Sequence, residues 1–160
     1  RLLFPALRSM FIEYLYNGAN FFALPFWALM VLFPGWSVTQ RVMASTLMFI
    51  PLALAYIYCF ANSLDPDAMA AFANPTLSTL AGLFADERVM ATGWIHYIVM
   101  DLFVGRWIYL QGQEKGIWTR HSLVLCLFAG PVGLLSHLIT TQLQERVFGL
   151  AEVTGSEMLS

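Results

Sequence analysis

Four apolar runs dominate this sequence, at residues 10–33, 42–61, 89–111 and 120–143. About 20 apolar residues in a helix are enough to cross the roughly 30 Å hydrocarbon core of a bilayer. Composition agrees: 59% of residues are hydrophobic, 11% are charged, and mean hydropathy is +0.67. A soluble domain carries about 25% charged residues. These features predict an all-α membrane protein, a single integral domain over residues 1–160. Four transmembrane helices are expected, with a short amphipathic surface helix between the second and third.

The punctuation is read in the same way. Pro25 should kink the first run and Pro51 should interrupt the second, because proline has no N–H to donate. Pro34-Gly35 is a turn signal, and Ser37 or Thr39 can cap the helix that follows. Loop 62–88 holds Asp65-Pro66-Asp67 and Asn74-Pro75, then Leu77, Leu80, Ala81 and Phe84 at helical spacing. That spacing predicts the surface helix. Residues 1–9 form a short start and 112–119 a second short connection. Gly130, Pro131 and Gly133 in the fourth run permit close helix approach. The polar tail 144–160 is expected to extend the last helix and then fray. Four crossings put both ends and the long loop on one side. Lysines and arginines divide evenly between the sides, so they do not set orientation. Cys59 and Cys126 are expected apart and unpaired. No basic patch is interleaved with aromatics, which argues against nucleic acid.

The third run carries the chemistry. His96, Asp101 and Arg106 lie within it, and ionisable groups in a membrane helix are costly enough that they usually face protein, water or a ligand. With about 1.5 Å per residue, depths can be matched between antiparallel helices. His96 and His137 come out level, roughly 10 Å from the terminal side, with Asn17, Asn20, Tyr56 and Thr140 nearby. Asp101 falls near the midplane, level with Pro131 between its two glycines. It shares a helix stripe with Trp94, Tyr97 and Gly105, about 140° away from His96. Arg106 is near enough to the far surface to snorkel. The plain alternatives are structural: histidines bonding helix to helix, Asp101 neutral or paired with Arg106, His121 and Arg106 as interface anchors, and Trp and Tyr residues facing lipid.

These residues resemble the ABA4 (abscisic acid deficient 4) family, membrane proteins required for neoxanthin synthesis. The likeness runs from about 21 to 141. It rests on Leu24-Pro25-Phe26 with Pro34, then Trp94-Ile95-His96, Asp101-Leu102-Phe103 and Arg106. It continues in Thr119-Arg120-His121-Ser122, Leu125-Cys126-Leu127, Pro131 and Ser136-His137. The resemblance implies a multi-pass protein of a plastid membrane, thylakoid or inner envelope. The implied reaction isomerises violaxanthin, a di-epoxide carotenoid, to the allenic neoxanthin. That step requires a general acid and a general base but no redox cofactor. His96, His137 and Asp101 are the candidate catalytic groups. Trp94, Tyr97, Arg106, Asn20 and Tyr56 are the candidate substrate contacts. No metal is expected, since three histidines with one usable carboxylate make a poor di-metal cage.

A competing reading is a pigment-binding subunit of a photosystem–antenna supercomplex. There His96, His121 or His137 would ligate chlorophyll magnesium, a carotenoid would be bound unchanged, and photosystem or light-harvesting proteins would be partners. A small transporter is a third reading, but four crossings without an inverted repeat would require an oligomer.

Overall fold

The computed structural model describes the backbone of residues 3–157 and the side chains of residues 7–147. The extreme ends of the expected start and tail lie outside the described residues. Among the described residues all regular structure is helical: α1 (Leu3–Leu32), α2 (Ser37–Ala44), α3 (Phe49–Ser63), α4 (Pro66–Ala73), α5 (Leu77–Leu83), α6 (Glu87–Lys115), α7 (Arg120–Phe128) and α8 (Gly130–Glu157). Helix α1, over Leu7–Leu32, is long and apolar enough to cross a membrane. Helices α2 and α3, bent by 45°, together would make a second such span. Helix α6 is long enough at 29 residues, but His96, Asp101 and Arg106 dilute its apolar character.

Two expected interruptions fall elsewhere. The second run breaks at residues 45–48, ahead of Pro51, which is the third residue of α3. A proline in the first turn removes an N–H that has no helical partner there, so it begins a helix instead of breaking one. Loop 62–88 contains two short helices where one was expected. Asp65 caps the first, accepting from the Ala68 N–H at 2.9 Å, and Pro66 opens it. That is an N-cap followed by a first-turn proline.

The chain packs as two compact units, Arg1–Phe26 with Ser45–Met100, and Trp27–Ala44 with Asp101–Ser160. In the first, Ile12, Ala19, Leu52, Cys59, Val89 and Ile95 are buried. Ser63 and Thr92 share a buried hydrogen bond of 3.0 Å. The loop is tied down by Arg88, whose guanidinium reaches Asp86 at 2.7 Å and Asp65 at 3.1 Å. The Arg88 hydrogen bond holds the Asp86 carboxyl below its usual range. The Ala68 N–H, with Arg88 adding to it, does the same for Asp65. A carboxylate with a depressed folded value stabilises above its unfolded value and loses that contribution as pH falls through the folded one. The melting temperature should therefore hold steady from neutrality to about pH 4 and then drop. Arg88→Leu should shrink that drop in circular-dichroism melts, because most of what depresses Asp86 is gone.

In the second unit Trp27, Met30, Met43, Leu102, Ile108, Tyr109, Leu123 and Cys126 are buried. The turn after α1 is held from two sides. Tyr109 donates its hydroxyl to the Pro34 carbonyl at 2.7 Å, and Thr39 donates to the Phe33 carbonyl at 2.7 Å.

The largest departure from expectation is in the fourth run, which is not one straight helix. The chain reverses at Ala129 (φ −157, ψ 89). Three contacts then run in opposite directions along α7 and α8. Cys126 packs against Gly133, Ser122 meets Ser136 at 3.0 Å, and His121 meets Thr140 at 2.9 Å. Helices α7 and α8 are thus an antiparallel hairpin. The reversal leaves few backbone groups bare. The Ala129 N–H bonds the Leu125 carbonyl, and the Ala129 carbonyl accepts from Val132 and Gly133. Pro131, as the second residue of α8, again begins a helix.

Candidate functional site

In the first unit the expected groups assemble on α6 with α1 and α3. The Trp94 indole N–H donates to Asn20 Oδ1 at 3.0 Å, and the Tyr16 ring lies 6.3 Å from the Trp94 ring. Asn20 uses its own amide N–H on the Tyr16 carbonyl at 2.7 Å, so its orientation is fixed by both ends. His96 is exposed and lies between aromatic neighbours, with Tyr56 at 5.8 Å and Tyr97 at 6.2 Å between ring centres. Five of the eight candidate catalytic and substrate-contact residues are therefore placed here, with Tyr16 beside them: His96, Trp94, Tyr97, Asn20 and Tyr56.

The second unit holds the others, in a different setting. Asp101 is half-buried at the tip of the α7–α8 hairpin. A side chain added to Gly130 would collide with the Asp101 carboxyl, and Cys126 Sγ points to the Asp101 carbonyl at 3.5 Å. The carboxyl thus lies at the N-terminal end of α8, where the helix dipole favours negative charge. Arg106 donates from Nε to the Met43 carbonyl at 2.7 Å and from a terminal nitrogen to the Ala44 carbonyl at 3.3 Å. It closes the C-terminal end of α2, which suits a cation.

His137 is fully buried, at 0% exposure. Its Nε2–H donates to Gln111 Oε1 at 2.6 Å, and the Trp107 ring meets it edge-on at 5.3 Å. This corrects the depth match. His137 was expected beside the first turns of α6 and is found beside its last turns, because α8 starts at the hairpin tip and runs in the same direction as α6. His121 bonds Thr140 and, at 3.1 Å, Ser122. Thr140 spends its own hydrogen on the Ser136 carbonyl at 2.9 Å, so it accepts from His121 Nε2–H. Among the described residues neither His121 Nδ1 nor His137 Nδ1 has a hydrogen-bond partner. Sequence reading gave no role to Gln111, Ser122 or Ser136, although the two serines lie in the motifs that carry the family resemblance. For Gln111 the signal was a polar residue on an otherwise apolar helix face.

A family model described as ABA DEFICIENT 4-like matches residues 14–137, most of the chain. The chain belongs to the ABA4-like family. Within that match lie His96, Asp101, Arg106, His121 and His137. The chain is also similar to Protein ABA DEFICIENT 4, chloroplastic, of Arabidopsis thaliana, with 39% identity over 122 residues. That alignment covers 73% of this chain and 56% of the relative, so the chain spans about half the length of the curated relative it matches. No solved structure matches. For an ABA4-like chain, then, the reactive-looking groups divide into an open set on the first half of α6 and a closed, hydrogen-bonded set around the α7–α8 hairpin.

Proposed function

We propose that this chain is a multi-pass plastid membrane protein of xanthophyll metabolism that isomerises violaxanthin to neoxanthin. The observation that carries the proposal is the family match over residues 14–137. The chloroplast address in the relative's name supports the plastid location. In the membrane, α1, the bent α2–α3 pair and α6 would cross, and α7–α8 would enter as a hairpin in place of a fourth straight span. The many exposed apolar side chains, such as Phe21, Leu54, Phe103 and Phe128, suit contact with lipid.

The reaction moves two protons and no net electrons. One proton goes to the epoxide oxygen as its C–O bond opens. The other leaves the adjacent polyene carbon as the allene forms. His96 is our choice for a proton carrier touching the substrate, because its ring is open and a neutral imidazole has both a donor and an acceptor nitrogen. Trp94, Tyr97, Asn20 and Tyr56 would shape the surface around it. Asp101, Arg106 and His137 are better suited to holding helices in place.

The exposed imidazole of His96 also favours a second reading, in which it ligates a chlorophyll and the protein holds pigment unchanged beside photosystem or light-harvesting proteins. One experiment separates the two. The chain is expressed in a bacterium engineered to make violaxanthin, and extracted pigments are resolved by chromatography. Neoxanthin is the expected product. Violaxanthin recovered unchanged but bound to the purified protein would replace the isomerase reading with the pigment-holding one.

A further inference from the structure

A cleft of about 700 Å³ opens in the first unit, between the early turns of α1 and α6. Its walls include Ile12 and Tyr16 from α1 with Met90 and Trp94 from α6, and Glu13 and Glu87 lie at the charged end. Its size is that of a small-molecule site. The charges are unequal. Arg88 also lines the cleft, but its guanidinium is already spent on Asp65 and Asp86. Among the described residues Glu13 and Glu87 have no ion-pair partner. Glu13 and Glu87 therefore leave carboxylate acceptors on the cleft wall for a neutral hydroxyl donor, with Arg8 beside Glu87 in the adjoining pocket. An O–H bonding a carboxylate is among the stronger hydrogen bonds. The rest of the lining is largely apolar, with the Tyr16 and Trp94 rings tilted by 46° to one another and the Trp94 indole held by its bond to Asn20.

We propose that this cleft binds the hydroxylated end ring of a xanthophyll, with Glu13 and Glu87 accepting from the ring hydroxyl and Tyr16 and Trp94 lying along the ring and the start of the conjugated chain. The inference rests on the carotenoid reading above and adds to it the residues that set substrate choice. An indole held in one orientation by Asn20 suits a rigid ring better than a flexible acyl chain. The carboxylates make the hydroxyl, and not the polyene alone, the feature that is recognised.

The test uses the full chain in detergent, incubated with equal amounts of β-carotene and its dihydroxy derivative zeaxanthin. Bound pigment is extracted and quantified by chromatography. Wild-type protein should retain the dihydroxy pigment about tenfold over β-carotene, the discrimination expected of one hydrogen bond to a charged acceptor. Glu13→Leu with Glu87→Leu should bring the two pigments to near-equal retention, and each single change should lower the ratio. Glu13→Gln with Glu87→Gln keeps acceptors in place without their charge and should give a ratio between those of the wild-type and leucine proteins. Equal binding of both pigments by wild-type protein would overturn the proposal and leave the carotenoid reading standing. An unchanged ratio in the leucine variants would do the same. Retention of neither pigment by wild-type protein would overturn the carotenoid reading, and this assignment with it.

Discussion

Gly133→Ala is expected to lower both the yield and the melting temperature of the protein by more than a single added methyl usually does. A β-carbon at Gly133 would fall on the backbone nitrogen, α-carbon and β-carbon of Cys126. The obstacle is main chain and a side-chain root, so no rotamer change relieves it. Overpacking of this kind typically costs about 1–3 kcal/mol, and more where backbone must move. The two helices of the hairpin would have to separate. That would loosen the Ser122–Ser136 and His121–Thr140 hydrogen bonds that depend on their spacing. Gly82→Ala provides the control. Nothing lies within 4 Å of the added carbon there, and alanine is favoured over glycine in a helix by about 0.5–1 kcal/mol. Melts of the two variants in the same detergent should move in opposite directions. Similar behaviour would mean that the hairpin does not close as tightly as Gly133 and Cys126 indicate.

That hairpin also marks where the sequence stopped being legible. Apolar run length and local punctuation are properties of adjacent residues, so α1 and α6 lie where the first and third runs predicted. Helix α6 covers 89–111 with two further residues at its start and four at its end. Matching depths across the connection placed Asp101 beside Pro131, one residue from its observed neighbour Gly130. The estimate worked because α7 does run antiparallel to α6 as far as Ala129. Beyond that point it failed, and His137 sits by Gln111. Gly130-Pro131 was visible as a turn signal but was read as permission for close approach. Choosing between the two meanings requires knowing that Gly133 can pack on Cys126 and that the Asp101 carboxyl meets the new helix start. Both are contacts between residues distant in sequence. The open set fared better: Trp94 with Asn20, and His96 with Tyr56, fall at the depths expected of them. The acidic cleft was missed because Glu13 and Glu87 look like ordinary helix-end charges until Arg88 is seen to be occupied elsewhere.

The two histidines should part company on mutation. His96→Ala is expected to reduce neoxanthin formation by about a hundredfold or more, the usual scale for losing a general acid or base. Its melting temperature should scarcely change, because the ring is exposed and its contacts are aromatic edges. His137→Ala should do the reverse. The ring is fully buried, bonded to Gln111 and packed on Trp107. Its removal takes the partner from the half-buried Gln111 amide oxygen, worth about 1 kcal/mol, and leaves a void in the packing. Yield and melting temperature should fall, while the molecules that remain folded keep most of their activity. Gln111→Leu distinguishes a holding role from a chemical one. It would orphan His137 Nε2 and should reproduce the stability loss without abolishing product. Conversion is measured as neoxanthin formed per folded protein in the violaxanthin-producing host, and stability by melts of the purified variants. A His96→Ala protein that converts at the wild-type rate would remove His96 from the reaction. A stable His137→Ala protein without activity would move the chemistry to the closed site by the hairpin.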